Sequence, residues 1–332
     1  MRRILCLSMG LGLVSGAFGA VSAQVTQVDP KLPAYTKVDG VRGNLSSVGS
    51  DTMNNLMTLW GEAFGKLYPG VHIQVEGKGS STAPPALIAG TAQLGPMSRD
   101  MKADETDAFE KKYGFKPTRL HTALDALAIW VNKDNPLQSI TLAQADAVFS
   151  KTRKRGYSQD ITTWGQLGLK GEWARKPISL YGRNSASGTY GFFKEHTLAK
   201  GDYKDTVKEQ PGSASVVQGV TEDVAGIGYS GVGYRTSGVK ALLLAEAEGK
   251  PPVEGNYENA LSGKYPLSRY LNLYIGFKPG SQPDPLVREF VRFIFSKDGQ
   301  EIVVKDGYFP LTATACVEEL RQIGVELQLS KN

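Results

Sequence analysis

The stretch "GRNSASGTYGFFKE" sets Arg183, Ser187, Gly188 and Thr189 immediately ahead of a run that reads as a helix. A guanidinium offers a planar fork of donors that suits an oxyanion. Hydroxyls donate, a glycine lets the backbone come close, and the first N–H groups of a helix have no internal partner. Together these are the parts of an anion site. A surface loop with a capping serine is the other reading of this stretch taken alone.

Two more junctions use the same chemistry. "VGSDTMNN" carries Ser50, Asp51 and Thr52, and "GKGSSTAPP" carries Ser80, Ser81 and Thr82. Each joins a strand to a helix start through glycine and small hydroxyl residues. A single junction says little, because Ser and Thr are preferred caps, and Asp51 suits a helix N-terminus without any ligand. If the three converge, one small anion meets three helix N-termini, several hydroxyls and one guanidinium.

The elements that must position these loops alternate along the chain. "NLSSVG", "VHIQVEG", "AQLGPMS", "LDALAIWVN", "PISLYG", "GIGYSG" and "SRYLNLYIG" read as strands. Met53, Leu56, Met57, Trp60, Phe64 and Leu67 fall at helical spacing and end at Pro69-Gly70. Helices are also expected after Thr82, over 103–114, from Thr141, after Ser187, over 213–223 and over 284–306. Residues 24–39 read as an extended lead-in, and 151–177 as basic, aromatic and irregular. The βαβα order argues for an α/β fold of mainly parallel sheets, in which ligands bind where loops leave the carboxyl ends of strands.

The chain has 332 residues, 41% of them hydrophobic, and a formal net charge of +5 that includes Arg2 and Arg3. Its length suggests two domains, and its charge is too mild to point to nucleic acid. Residues 1–23 show a basic start, an apolar stretch and a small-residue exit, the pattern of a signal peptide cleaved after Ala23. Cys6 lies inside the apolar stretch, which speaks against a lipid-modified cysteine. Cys316 would then be the single cysteine of the exported chain, leaving no intramolecular disulfide.

The pieces "GSSTAPPALIAGTAQLGPMSRDM", "GRNSASGTYGFFKE", "EQPGSASVVQ", "GIGYSG" and "VVKDGYFPL" resemble the periplasmic phosphate-binding proteins of phosphate ABC transporters, over roughly residues 40 to 310. The resemblance implies a two-lobed type II periplasmic binding protein fold, each lobe a mainly parallel sheet flanked by helices, with a dehydrated oxyanion in the interlobe cleft. It implies inorganic phosphate as ligand, and an inner-membrane permease and its ATPase as partners. A monomer without cofactor, metal or catalysis is expected, exported to the periplasm. The family's Arg-x-x-x-Ser-Gly-Thr falls on Arg183, Ser187, Gly188 and Thr189. Its second-loop serine falls on Ser80, with Ser81 beside it, and its first-loop position on Asp51, between Ser50 and Thr52. Lobe 1 is expected over 40–126 plus 270–332, and lobe 2 over 127–269.

One departure bears on selectivity. The aspartate that accepts the ligand proton in the best-known enteric members aligns with Ser98 in "LGPMSRDM", while Asp51 stands where they carry threonine. The expectation is that the acceptor has moved from the third loop to the first. Arg99 is expected either as a second cation in the cleft or as the partner of Asp51.

Other candidates carry less. His72, His121 and His196 lie at no metal-ligand spacing. Asp125 could line the cleft or be an ordinary loop carboxylate. Trp130, Trp164 and Trp173 read as packing residues, and the run "SKTRKRGYSQD" as a solvated loop or a partner contact. A phosphomonoester hydrolase would need an activated nucleophile or a metal cluster, and no Gly-x-Ser-x-Gly accompanies Ser187. A secreted adhesin or appendage protein on the same fold is the remaining alternative.

Overall fold

The structure, a computed structural model, describes residues 26–278 and 280–330. The expected signal peptide lies outside the described residues. The lead-in over 26–39 contains no helix or strand, yet it is bound to the body. Leu32 is buried, and the Tyr35 hydroxyl bonds to Tyr68 Oη at 2.8 Å and Glu289 Oε2 at 3.0 Å.

The first half of the chain follows the expected alternation. β1 (Gly43–Val48) leads to α1 (Asn54–Leu67), whose Leu56, Met57, Trp60 and Phe64 are buried. Burying such side chains contributes about 2–3 kcal/mol each. β2 (Val71–Glu76), α2 (Ala83–Ala89), β3 (Leu94–Met97) and α3 (Ala103–Tyr113) follow. β4 runs from Thr118 to Asn132. It starts six residues before the apolar run, because Thr118–Ala126 pair with a neighbouring strand although their side chains alternate in burial at the start.

The rest comprises β5 (Ser139–Thr141), α4 (Leu142–Phe149), β6 (Ser179–Arg183), α5 (Gly188–His196), β7 (Lys208–Gln210), α6 (Ser213–Glu222) and β8 (Gly226–Gly231). Then come β9 (Val239–Ala241), β10 (Leu243–Ala245), α7 (Tyr257–Leu261), β11 (Ser268–Ile275), α8 (Pro285–Ile294), α9 (Lys297–Lys305) and α10 (Ala313–Arg321). α4 starts at Thr141 as expected, with Thr141 Oγ1 accepting the Gln144 N–H at 3.1 Å. β5, β7, β9, β10, α7 and α10 were not anticipated; each of the four strands has only three residues, too few to show a period.

The strands hydrogen-bond in the order β2-β1-β3-β11-β4-β8-β6-β7, with β9 also on β4. Outer pairs (β1 with β2 and β3, β6 with β7 and β8) are parallel. The pairs made by β4 and β11 are antiparallel. β4 serves both halves: through Ala126 it pairs with β11, and from Leu127 with β8. Aromatic clusters fill each half, with Phe64, Phe290 and Phe293 against Tyr35 on one side and Phe149, Phe193 and Tyr229 on the other. Cys316 is buried and free. No helix of the described residues is long and apolar enough to cross a membrane.

Candidate functional site

The three junctions meet. After β1 the backbone folds at Gly49, where a Cβ would lie 2.2 Å from the Pro96 carbonyl oxygen, so no larger residue fits. This brings Ser50, whose N–H donates to the same carbonyl at 2.8 Å, against the end of β3. Ser50, Asp51 and Thr52 are all buried. They form the turn before α1, so Asp51 is not itself helical.

β6 delivers Arg183 as its last residue, and the Arg183 side chain is buried. The guanidinium is fully engaged on one edge. Nη2 pairs with Asp51 Oδ1 and donates to the Pro211 carbonyl at 3.2 Å, while Nη1 donates to Ser213 Oγ at 2.9 Å. The other carboxylate oxygen, Asp51 Oδ2, accepts the Ser213 N–H at 3.1 Å. Asp51 therefore stands between the Arg183 guanidinium and the first N–H of α6.

Ser187 caps α5. Its Oγ accepts the Thr189 N–H at 3.1 Å and the Tyr190 N–H at 3.3 Å. Its own O–H and the Gly188 N–H, which has no intrahelical partner, remain as donors. Thr189 Oγ1 lies 2.9 Å from Thr52 Oγ1, joining the first and third junctions. The second junction closes over both. Gly79, at φ +119, takes a backbone conformation that favours glycine, and a Cβ there would lie 2.5 Å from the Ala186 carbonyl oxygen. The Ser81 N–H donates to that carbonyl at 3.1 Å. Ser80 Oγ accepts the Ser98 N–H at 3.0 Å and lies 3.4 Å from Ser98 Oγ.

Ser50 Oγ and Arg183 Nε are buried with no protein hydrogen-bond partner among the described residues. Buried donors left unmatched cost about 1–3 kcal/mol each. These are two donors to which an oxyanion could be offered. No group of three or more His, Cys, Asp or Glu able to hold a metal occurs among the described residues.

Three readings need correction. Arg99 does not pair with Asp51. It sits beside the first turn of α3 and grips Glu105, Nη1 to Oε2 at 2.8 Å and Nη2 to Oε1 at 2.7 Å, and it donates to Ser81 Oγ at 3.2 Å. Its charge is matched there by Glu105. Ser81 and Thr82 are not side-chain caps of α2; Thr82 Oγ1 donates back to the Gly79 carbonyl at 2.8 Å. Asp125, open between a cleft-lining carboxylate and an ordinary loop carboxylate, lies within β4 and not in a loop. It is fully buried, pairs with Arg269 Nε at 2.9 Å, and accepts the Val232 N–H at 3.0 Å.

Several site residues escaped the sequence. Ser213 holds both Arg183 and Asp51. Tyr234 donates to the Asp51 and Thr52 carbonyls at 3.0 and 3.2 Å, and Tyr308 donates to the Thr52 carbonyl at 2.8 Å. Tyr229 Oη accepts the Arg183 N–H at 3.3 Å. Burial, then the Asp51 charge, pushes the Tyr234 hydroxyl well above its usual range, so it stays a neutral donor. The signal for Ser213 was present: "PGSAS" is a fourth Gly/Ser entry to a helix. The tyrosines reach the site from distant segments, and no local pattern marks them.

Two α/β lobes joined by shared strands, with hydroxyl-bearing helix starts facing each other between them, are the architecture of a type II periplasmic binding protein. A family model described as "PBP superfamily domain" matches residues 35–298, and the chain belongs to that family. It is 56% identical over 319 residues to the phosphate-binding protein PstS of Pseudomonas aeruginosa, covering 96% of this chain and 98% of that one. Among solved structures it is similar to one from Clostridium perfringens, described as a phosphate ABC transporter substrate-binding protein with bound phosphate. There the TM-score is 0.68 and the identity 26%, over 81% of this chain and 100% of the other. An ABC-type phosphate transport receptor from Vibrio cholerae shares the fold, with a TM-score of 0.62 at 23% identity over 80% of this chain and all of that one.

Proposed function

We propose that this chain is the extracytoplasmic receptor of a phosphate ABC transporter. It binds hydrogen phosphate between its lobes and delivers it to a membrane permease driven by an ATPase. No bond of the phosphate is made or broken. The observation that carries the reading is the buried Asp51–Arg183 pair at the meeting point of three hydroxyl-bearing junctions. The relatives named for phosphate binding favour this role over an adhesin or a hydrolase.

The division of labour follows from the donors and acceptors. Arg183 offsets anion charge. Ser50, Ser80, Ser187, Thr189 and the Gly188 N–H donate hydrogen bonds, while Thr52 orients Thr189 and Ser98 orients Ser80. Asp51 accepts the ligand proton. Each of its oxygens takes one bond from lobe 2 and keeps a second lone pair. Hydrogen phosphate can satisfy that lone pair near neutral pH; fully ionised sulfate cannot, and two facing acceptors cost several kcal/mol. The change of partner along β4 at Ala126/Leu127 supports lobe limits of 40–126 with 270–332 and of 127–269. The reading includes a leader cleaved after Ala23, a periplasmic location without a lipid anchor, and action as a monomer.

The test is calorimetric titration of ligand-stripped, processed protein with phosphate, alone and in excess sulfate. Tight one-to-one binding that sulfate does not weaken is expected. Equal binding of both anions would remove Asp51 from its role, and binding of neither would overturn the receptor reading.

A further inference from the structure

The anion site makes no use of the basic run over 150–160. Lys151, Arg153, Lys154 and Arg155 are packed into five consecutive residues. The run is fastened to the C-terminal end of α5. Arg155 donates from Nε to the Thr197 carbonyl at 2.6 Å and from Nη2 to the His196 carbonyl. Lys154 Nζ reaches the Lys200 carbonyl at 3.2 Å, and the Lys151 N–H the Asp202 carbonyl at 2.8 Å. Lys194 and Lys200, from α5 and its exit, join the same face. α5 has 9 residues and begins at the anion site, so about 13 Å of helix lies between that end and the end that holds Arg155. The patch does not touch the anion, but it moves with the helix whose other end does.

Two features distinguish this face from a solvated loop. Arg153 (φ 46), Ala199 (φ 47) and Lys200 (φ 61) are the non-glycine residues with left-handed φ among the described residues, and all three lie here. Such conformations are unfavourable for residues with a side chain and persist where the surroundings over-determine them, as at functional surfaces. The charge pairing is also incomplete. Lys151, Lys194 and Lys200 reach Asp205, Asp202 and Glu195. Arg153, Lys154 and Arg155 make no salt bridge among the described residues; backbone carbonyls hold Lys154 and Arg155 in place without neutralising them.

We propose that this face of lobe 2 docks on an acidic protein surface, an extracytoplasmic loop of the permease, through Arg153 and Lys154. The identity of the partner rests on the receptor reading above. A protein fits better than an anionic bilayer, because Asp205, Asp202 and Glu195 are interleaved with the cations. A bilayer repels those carboxylates, whereas a folded partner places a matching charge against each. Closure carries the patch with lobe 2 as a body, so a partner that also touches lobe 1 can read occupancy from the distance between the two contacts.

The test substitutes Lys151→Glu, Arg153→Glu and Lys154→Glu together in the full chain. In cells lacking their own copy of the gene, phosphate uptake at limiting phosphate falls about tenfold or more at equal receptor level. The purified variant keeps its phosphate affinity by titration, which shows it folded, and a Lys151→Arg/Lys154→Arg control keeps uptake. Undiminished uptake with the triple variant overturns the proposal. So does salt-sensitive binding of the parent protein to protein-free vesicles rich in phosphatidylglycerol, lost in the variant, which would make the bilayer the partner. Failure of the parent protein itself to bind phosphate overturns the receptor reading instead, and the assignment to a permease with it.

Discussion

Gly188 and Ser80 approach so closely that a Cβ on Gly188 would lie 2.3 Å from Ser80 Oγ, and 2.7 Å from Ser98 Oγ. Gly188 is the first helical residue of α5 and is not among the glycines with positive φ. Its backbone therefore accepts alanine without strain. The conflict arises only where the lobes meet. Gly188→Ala is expected to leave the melting temperature of the ligand-free protein unchanged or slightly raised. Its phosphate affinity should fall about 100-fold or more, and phosphate should no longer raise the melting temperature. Thermal melts with and without phosphate check this; a full ligand-induced rise in the variant would mean that the two surfaces do not meet in the bound form.

Asp51→Asn separates charge and proton acceptance from shape. The asparagine can still accept through Oδ1 from Arg183, but it puts an N–H₂ where Oδ2 now accepts the Ser213 N–H. The guanidinium also loses its counter-charge. Phosphate affinity is expected to drop about 100-fold, while sulfate, no longer facing an acceptor, should bind with comparable strength. Competition titration reads both. A variant that still rejects sulfate as strongly would assign selectivity to other groups.

How much of this was legible follows residue by residue. Arg183, Ser187, Gly188 and Thr189 stand within seven residues, so local chemistry exposes them. The pairing of Asp51 with Arg183 spans 132 positions, and no spacing rule links them; the sequence alone named Arg99 as the possible partner of Asp51 and gave Arg183 to the anion. What decided between the two is position. Arg99 follows β3 next to the first turn of α3, where Glu105 is in reach, and Arg183 ends the strand that faces the first junction. Tyr234, at the end of a short 3-10 turn over Val232–Tyr234, and Tyr308 arrive from distant segments. The long strands were legible from their apolar runs, whereas β5, β7, β9 and β10 exist because a neighbour offers a free edge.

Arg99→Gln tests that assignment. Burial raises the Glu105 pKa, but the Arg99 hydrogen bond and the Lys102 N–H outweigh it and hold the carboxyl below its usual value. A depressed carboxyl pKa adds stability above the unfolded value and loses it as pH falls through the folded one. The variant should therefore be less stable at neutral pH, by about 1 kcal/mol, with the difference shrinking on acidification below the unfolded carboxyl range. Phosphate affinity should change less than about threefold. Urea unfolding at neutral and acid pH, beside a phosphate titration, decides. A large loss of affinity with unchanged stability would return Arg99 to the anion.

Asp306 is the complementary case. It caps α9, accepts from Asn55 Nδ2 just after the first junction, and burial pushes its carboxyl up to about 6 against the opposing effect of that hydrogen bond. A folded pKa above the unfolded one means that the native state binds the extra proton. The group is then least harmful below its unfolded value, and stability is lost as pH rises through about 6. Asp306→Asn keeps the acceptor for Asn55 and never ionises. Its melting temperature relative to the parent should climb between the unfolded and folded values and level off above them, ending higher by about 3 °C or more at neutral pH. Paired melts across that range supply the check. A constant difference at every pH would show that Asp306 is ionised throughout, with solvent reaching it beside Asn55.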